Sequence, residues 1–237
     1  MIKKFTLALV GILVCYAMHA QYADKTQDYQ LQLKNYRKNV TRISVIGTSC
    51  VALAFLVDQP LNTWMQNNQG GAGDALSDVA NVFGEKLFIV PAVGLSYGAG
   101  YVFKDEKLRS TSWNAIKAIA TTAIATEIIK ISLGRARPFV GEGAFEFDPF
   151  NGNDAYKSMP SGHVSLAFAA FTPYAETYSR WLYVAPVSVA FARMYKNKHW
   201  LSDTVLGAGL GFLSGWMFTH HPRSNVQVSA NGVIVFF

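Results

Sequence analysis

Charge, cysteine and long hydrophobic runs are all in short supply in this chain. Asp, Glu, Lys and Arg make up only 15% of its 237 residues, and 51% are hydrophobic; an ordinary soluble domain carries roughly 25% charged residues. That balance leaves two classes, a membrane-embedded protein or an unusually apolar globule. The two cysteines, Cys15 and Cys50, have no partners at metal-site spacing. Once Cys15 leaves with the N-terminal segment described below, no intrachain disulfide can form. No block of clustered Lys and Arg alternates with aromatics, so nucleic acid is not an expected partner. Internal repeats and low-complexity segments are also missing. The charge that is present sums to +6, a general attraction toward anions such as phosphorylated lipids or acidic membrane surfaces. The length suits one large domain with a substantial core.

Residues 1–20, "MIKKFTLALVGILVCYAMHA", place Lys3 and Lys4 before an uncharged apolar run that ends at Ala20. This is the layout of a secretory signal peptide, with Ala20 the last residue removed; a retained membrane anchor is the rival. Val14 stands where a lipoprotein signal needs a small residue, so lipidation of Cys15 is not expected. The expected organisation is a signal peptide or anchor over 1–20, one helical domain over 21–222, and a C-terminal tail over 223–237.

Beyond the leader, apolar runs recur at Ile43–Val57, Leu87–Phe103, Val164–Ala175, Trp181–Ala192 and Thr204–Thr219, and Trp113–Leu133 is interrupted only by Lys117, Glu127 and Lys130. Their lengths and their Ala, Leu and Gly content favour helices. None alone supplies the ~20 continuous apolar residues of a membrane span, but their number favours insertion. The fold class is therefore all-α, a membrane-embedded bundle of about six helices. The tail "SNVQVSANGVIVFF" alternates at Val226 and Val228 and carries Asn231-Gly232, the signature of a short β-hairpin. The glycine-rich 67–74 reads as a flexible loop. The basic segments 33–42 and 104–109 belong on the cytoplasmic side, which sends the loop after Leu133 outward. Six spans counted from an exported Gln21 would send it inward. A retained leader, a helix that does not cross, or a bundle outside the inner membrane would each resolve the conflict.

Charges next to apolar segments are expensive and mark function, and here they fall in three clusters. In "KISLGRARPF", Lys130, Arg135 and Arg137 follow one another with no carboxylate after Glu127, which suggests an anion site. In "PSGHV", Pro160 and Gly162 shape a turn, and a helix starting near His163 would aim backbone N–H groups and its dipole at a phosphate, with the Ser161 hydroxyl as a further donor. In "ARMYKNKHWLSDTV", Arg193 precedes His199 and Asp203, four residues apart. If a helix begins near His199, Asp203 can accept its Nδ1 proton and leave Nε2 free to attack. Taken singly, each cluster also has an ordinary explanation: basic residues flanking a membrane helix, a Ser N-cap, a helical His–Asp pair.

Together, Lys130 through Arg137-Pro138, Pro160-Ser161-Gly162-His163, and Arg193 with His199 and Asp203 match the pattern K-x6-R-P, P-S-G-H and S-R-x5-H-x3-D. In this the chain resembles the type 2 phosphatidic acid phosphatase superfamily, which also includes class A acid phosphatases and vanadium haloperoxidases. Ala192 departs from the pattern, where Ser is usual, removing one phosphate donor. The resemblance implies a helical core and a phosphoric ester hydrolase in which His199 attacks phosphorus to form a phosphohistidine. Asp203 would fix and polarise its ring. His163 would protonate the leaving oxygen and then activate water. Lys130, Arg137, Arg193, Ser161 and the Gly162 amide would bind the phosphoryl oxygens. No metal or other cofactor is implied, and no carboxylate or histidine cluster near the motifs has two-metal character.

Apolar helices and the leader favour a phosphorylated lipid met at a membrane: phosphatidic acid, phosphatidylglycerophosphate, undecaprenyl pyrophosphate or lipid A. The expected location is the cell envelope, in the membrane, with the active site facing the periplasm or exterior. The alternatives are a secreted soluble acid phosphatase, a vanadium haloperoxidase and a non-catalytic phospholipid-binding protein. Residues 141–159 lie between the first two clusters and carry Glu142, Glu146, Asp148, Phe145, Phe147 and Phe150. They are the expected substrate-selecting segment.

Overall fold

In a computed structural model of the chain, the backbone is described for residues 2–222, 226–229 and 232–235, and the side chains for residues 27–222. Among the described residues there are seven α-helices: α1 (Ile2–Asn67), α2 (Gly71–Val82), α3 (Lys86–Val102), α4 (Glu106–Leu133), α5 (Gly162–Thr177), α6 (Val184–Tyr195) and α7 (Leu201–His220). Contacts divide the chain into one unit of Met1–Thr41 with His221–Phe237 and a second of Arg42–His220. In the first unit, Val226–Ser229 and Gly232–Val235 pair antiparallel with Val226 opposite Val235; Asn231, of the expected turn, lies outside the described residues. The side chains of the leader likewise lie outside them.

Two helices differ from the expected pattern. Continuous helix runs through the polar stretch before Ile43, so α1 extends far beyond the apolar run that signalled it. Of the glycine-rich loop expected over 67–74, residues 68–70 do link two helices, but α2 already starts at Gly71. Tyr195 of α6 explains that start, because its hydroxyl takes the Gly70 N–H at 2.8 Å and also reaches the Gly70 carbonyl and the Asp74 carboxylate.

The second unit is organised around α5, which packs against α4, α6 and α7, while α2 lies on α6 and α3 on α4. Its core joins Ile89 and Val93 of α3, Ala115 of α4, Val164, Leu166, Ala167 and Ala170 of α5, and Val189 of α6. Small residues set the α5–α7 distance. A Cβ at Gly211 would lie 2.3 Å from the Ser165 carbonyl oxygen, and one at Gly207 would lie 2.7 Å from the Ser161 carbonyl oxygen. Only glycine lets α7 approach so closely, and this contact brings "PSGH" against the start of α7. Outward-facing apolar residues include Leu53 and Leu56 on α1, Leu87 and Leu95 on α3, and Ile124 and Ile128 on α4, an apolar exterior suited to lipid. Among the described residues, Gln27–Asn67 is long and apolar enough to cross a bilayer, and α2 with α3, bent by 48°, pass the same test as a pair.

The glycine stripe makes a paired prediction. Gly211→Ala should lower the thermal midpoint, since overpacking costs roughly 1–3 kcal/mol and outweighs the ~1 kcal/mol gain in helix propensity. Gly209→Ala, with nothing within 4 Å of the new methyl, should be neutral or stabilising. Thermal unfolding of the two variants in detergent checks this, and equal midpoints would contradict the packing account.

Candidate active site

The three sequence clusters converge where α4 ends and α5 and α7 begin. Lys130 lies in the last turn of α4, which stops at Gly134 in the left-handed region (φ 57°). A Cβ at Gly134 would meet the Asp148 carbonyl, so glycine is required where the chain turns into the loop. That loop is a folded layer. Arg135 bridges Phe147, and backbone bonds join Ala136 to Glu146, Arg137 to Ala155 and Ser158 to Arg135. It ends at Ser161, the N-terminal flank of α5, whose N–H donates to the Asp203 carbonyl at 3.0 Å. Lys130 and Gly162 are close enough that a Cβ on Gly162 would lie 3.6 Å from Lys130 Cε.

His199 is 2% exposed and sits just before α7, not within it. Its Nδ1 lies 2.8 Å from the Ser158 carbonyl oxygen. A carbonyl only accepts, so Nδ1 carries the proton and Nε2 keeps its lone pair as an acceptor. The expected Nδ1–Asp203 hydrogen bond is therefore corrected, because Asp203 Oδ2 stands 3.7 Å away. Asp203 acts one step further out. It accepts the Ser158 hydroxyl at 2.6 Å and the Trp200 N–H at 2.9 Å, the latter as a third-position carboxylate closing the first turn of α7. It thereby holds both the residue that orients His199 and the peptide that follows it. On its other side His199 Nε2 faces Arg137 Nη1 at 3.4 Å.

Arg137 is placed by Asp154, whose carbonyl takes its Nε at 2.9 Å and whose carboxylate pairs with Nη2 at 3.1 Å. Lys130 Nζ donates to the Lys157 carbonyl at 2.6 Å. Arg193, in the last turn of α6, gives Nη1 to Asn81 Oδ1 at 2.9 Å. Two buried polar atoms here have no protein partner, the Ser161 hydroxyl and Arg193 Nε. Both belong to expected phosphate-binding residues, and both are donors. His163 Nε2 lies 3.2 Å from Glu85 Oε1, and Arg193 and Arg137 act on it electrostatically.

Sequence inspection missed four contributors. Asn81, in the last turn of α2, and Glu85, just before α3, are bonded to each other at 2.7 Å and link His163 to Arg193. Ser158 orients His199 through a main-chain atom. Asp58 of α1 pairs with Arg135. Arg135 itself stood inside the first cluster but is spent on internal partners. It is fully buried and donates to Asp58 at 2.8 Å, Asp203 at 2.6 Å, Ser202 at 2.6 Å and the Ala144 carbonyl. Among the described residues no three His, Cys, Asp or Glu side chains assemble as a metal site. In the segment expected to select substrate, Glu142 accepts the Tyr156 hydroxyl at 2.6 Å, while Phe145 and Phe150 are exposed.

Burial, with Lys130 and Arg137 adding to it and Asp203 opposing, pushes the His199 pKa from 6.5 down to about 3. The folded protein therefore holds this ring neutral while the unfolded chain protonates it below about 6.5. Its contribution to stability is complete above pH 6.5 and is lost as pH falls toward 3. Acidification from pH 7 to 4 should lower the thermal midpoint of the wild type more than that of His199→Asn; equal pH slopes would contradict a neutral buried ring.

Known proteins resemble this chain in sequence and in fold. The profile of the PAP2 superfamily matches residues 111–226, a span that contains all three clusters. The lipid A 1-phosphatase of Rhizobium etli is 27% identical over 188 residues, covering 72% of this chain and 78% of that protein. The lipid A 1-phosphatase of Porphyromonas gingivalis is 30% identical over 192 residues, 75% of this chain but only 38% of that protein. Among solved structures, Aquifex aeolicus LpxE superposes with a TM-score of 0.55 at 18% identity, over 68% of this chain and 94% of that one. A transmembrane PAP2-type phosphatidylglycerolphosphate phosphatase from Bacillus subtilis gives a TM-score of 0.58 at 18% identity, over 76% and 93%. At that identity the two structures speak to the fold alone.

Proposed function

The chain belongs to the PAP2 superfamily, and from that premise we propose that it is a metal-independent phosphatase of a phosphorylated membrane lipid, acting through a phosphohistidine at His199. The observation that carries this is the locked tautomer. With Nδ1–H donated to Ser158, Nε2 faces Arg137, and in this reading Lys130 and the unpartnered donors of Ser161 and Arg193 supply further phosphate contacts. An incoming phosphomonoester would lodge its oxygens on those donors and on the Gly162 amide at the start of α5. The Nε2 lone pair then forms a bond to phosphorus as the P–O bond to the alcohol breaks. His163 gives its proton to the departing oxygen, with Glu85 beside it to hold the charged ring. In the second step His163 takes a proton from water, whose oxygen displaces His199 and releases phosphate.

The outward apolar side chains of α1, α3 and α4 support a lipid substrate, and both curated relatives named above are lipid A phosphatases. Lipid A 1-phosphate is therefore the first substrate to test, followed by phosphatidic acid, phosphatidylglycerophosphate and undecaprenyl pyrophosphate. The site faces the periplasm or exterior in this proposal. In its support, α4 is 28 residues long, about 42 Å, and carries the basic 104–109 segment at one end and Lys130 at the other.

Purified wild-type protein in detergent, after exhaustive chelation, should release phosphate from at least one of these four lipids. His199→Ala should lose this activity by a factor of at least about 10³. Phosphate release from none of them, or only after a divalent metal is restored, would overturn the proposal.

A further inference from the structure

Asp58 belongs to none of the motifs. It is the only charged residue between Arg42 and Asp74, on the helix long and apolar enough to cross a bilayer, and it is 1% exposed. A carboxylate in such a helix is expensive to keep and marks function. One of its bonds has a purely structural use. Asp58 Oδ1 accepts the Ser202 N–H at 2.8 Å, satisfying a free donor in the first turn of α7. A neutral amide oxygen would do that equally well, so the cap does not account for the charge.

The charge has a different set of partners. Oδ2 takes Arg135 Nη2 at 2.8 Å and the Ser202 hydroxyl at 2.5 Å, while the other arm of Arg135 reaches Asp203 at 2.6 Å. All three ionic side chains are sealed from solvent. One cation and two anions leave this cluster with a net charge of −1. Had Arg135 only Asp203 to pair with, the two would cancel. Asp58 takes a share of the guanidinium, so a negative charge persists 3.7 Å from the His199 ring. The ring needs it during the reaction. When Nε2 bonds to phosphorus and keeps Nδ1–H, the imidazole becomes cationic, and Lys130 and Arg137 lie on the phosphoryl side, where they cannot offset that charge. A fixed anion behind the ring in a water-excluded site stabilises it as it forms.

We propose that Asp58 is a positioning residue of the reaction, which by sharing Arg135 keeps the Asp203 cluster net negative and so stabilises the cationic, phosphorylated His199. This rests on His199 as the nucleophile. It also makes α1 an energetic part of the active site, although α1 carries none of the three motifs.

The test compares wild type, Asp58→Asn and Ser202→Ala on lipid A and on phosphatidic acid in detergent micelles. Asp58→Asn keeps an oxygen for the α7 cap and removes the charge; Ser202→Ala removes two hydroxyl bonds of the cluster and keeps the charge. Asp58→Asn should lower kcat by about tenfold or more with KM within about twofold. Orthovanadate, which accepts a fifth bond from the nucleophile, should inhibit more weakly in step with kcat, and inorganic phosphate should inhibit as in the wild type. Ser202→Ala should hold kcat within about threefold, as expected for loss of neutral hydrogen bonds. The proposal is overturned if Asp58→Asn lowers kcat no more than Ser202→Ala does. It is also overturned if vanadate inhibition does not follow kcat, or if Asp58→Asn fails to fold where Ser202→Ala folds, since the charge would then serve folding alone. A wild type inactive on both lipids would instead count against the lipid-phosphatase reading itself.

Discussion

Arg135 is the interaction on which the rest of the site depends. Its guanidinium is buried completely and ties together three parts of the chain that are far apart in sequence: Asp58 on α1, the Ala144 carbonyl in the 134–160 loop, and Ser202 with Asp203 at the start of α7. Aromatic rings surround it, with Phe55, Phe147 and Trp200 at 4.6, 5.5 and 5.6 Å from the guanidinium carbon. An unpaired cation in that setting would be prohibitive, and two carboxylates with a hydroxyl and a carbonyl compensate for its desolvation. Arginine suits the position because its planar fork can meet acceptors on both edges at once.

From that centre the chemistry passes outward through short bonds. Arg135 fixes Asp203, Asp203 fixes the Ser158 hydroxyl and the Trp200 amide, and the Ser158 carbonyl fixes the His199 proton on Nδ1. Charge is thereby sorted to two sides of one imidazole. Asp203 lies on the Nδ1 side, Arg137 faces Nε2, and the proposed phosphate site takes Lys130 and Arg193 as its further cations. The close glycine packing of α7 on α5 keeps the two halves in register, because it presses "PSGH" against the helix that begins beside His199. Fold and site are coupled at this seam, and so a packing substitution there is also expected to be felt in the chemistry.

Much of this was legible in the sequence because the expected site residues fall in three short clusters with fixed internal spacing. Lys130, Arg137, Ser161, Gly162, His163, Arg193, His199 and Asp203 fall within one stretch and leave a readable pattern. The helical class was legible from apolar runs for the same local reason. The supporting residues were not. Asp58, Asn81 and Glu85 each meet the site across a separation of more than 70 residues in the chain, and a single carboxylate or amide on a helix gives no periodic signal. Ser158 works through its backbone, which no sequence pattern reports. The His199–Asp203 spacing suggested a direct bond, but α7 begins after His199, so the two are not on one helical face. The start of α2 was hidden by its glycines, since Tyr195, 125 residues beyond Gly70 in the chain, supplies what local propensity does not.

The central claim is that the Ser158 carbonyl, by holding the proton on Nδ1, makes Nε2 of His199 the atom that bonds to phosphorus. Trapping the phosphoenzyme in a rapid quench at neutral pH and identifying its isomer by phosphorus NMR tests this most directly. The account predicts phosphate on Nε2 of His199, stable in alkali and labile in acid. Phosphate on Nδ1, on another residue, or transferred to water with no trapped intermediate would contradict it.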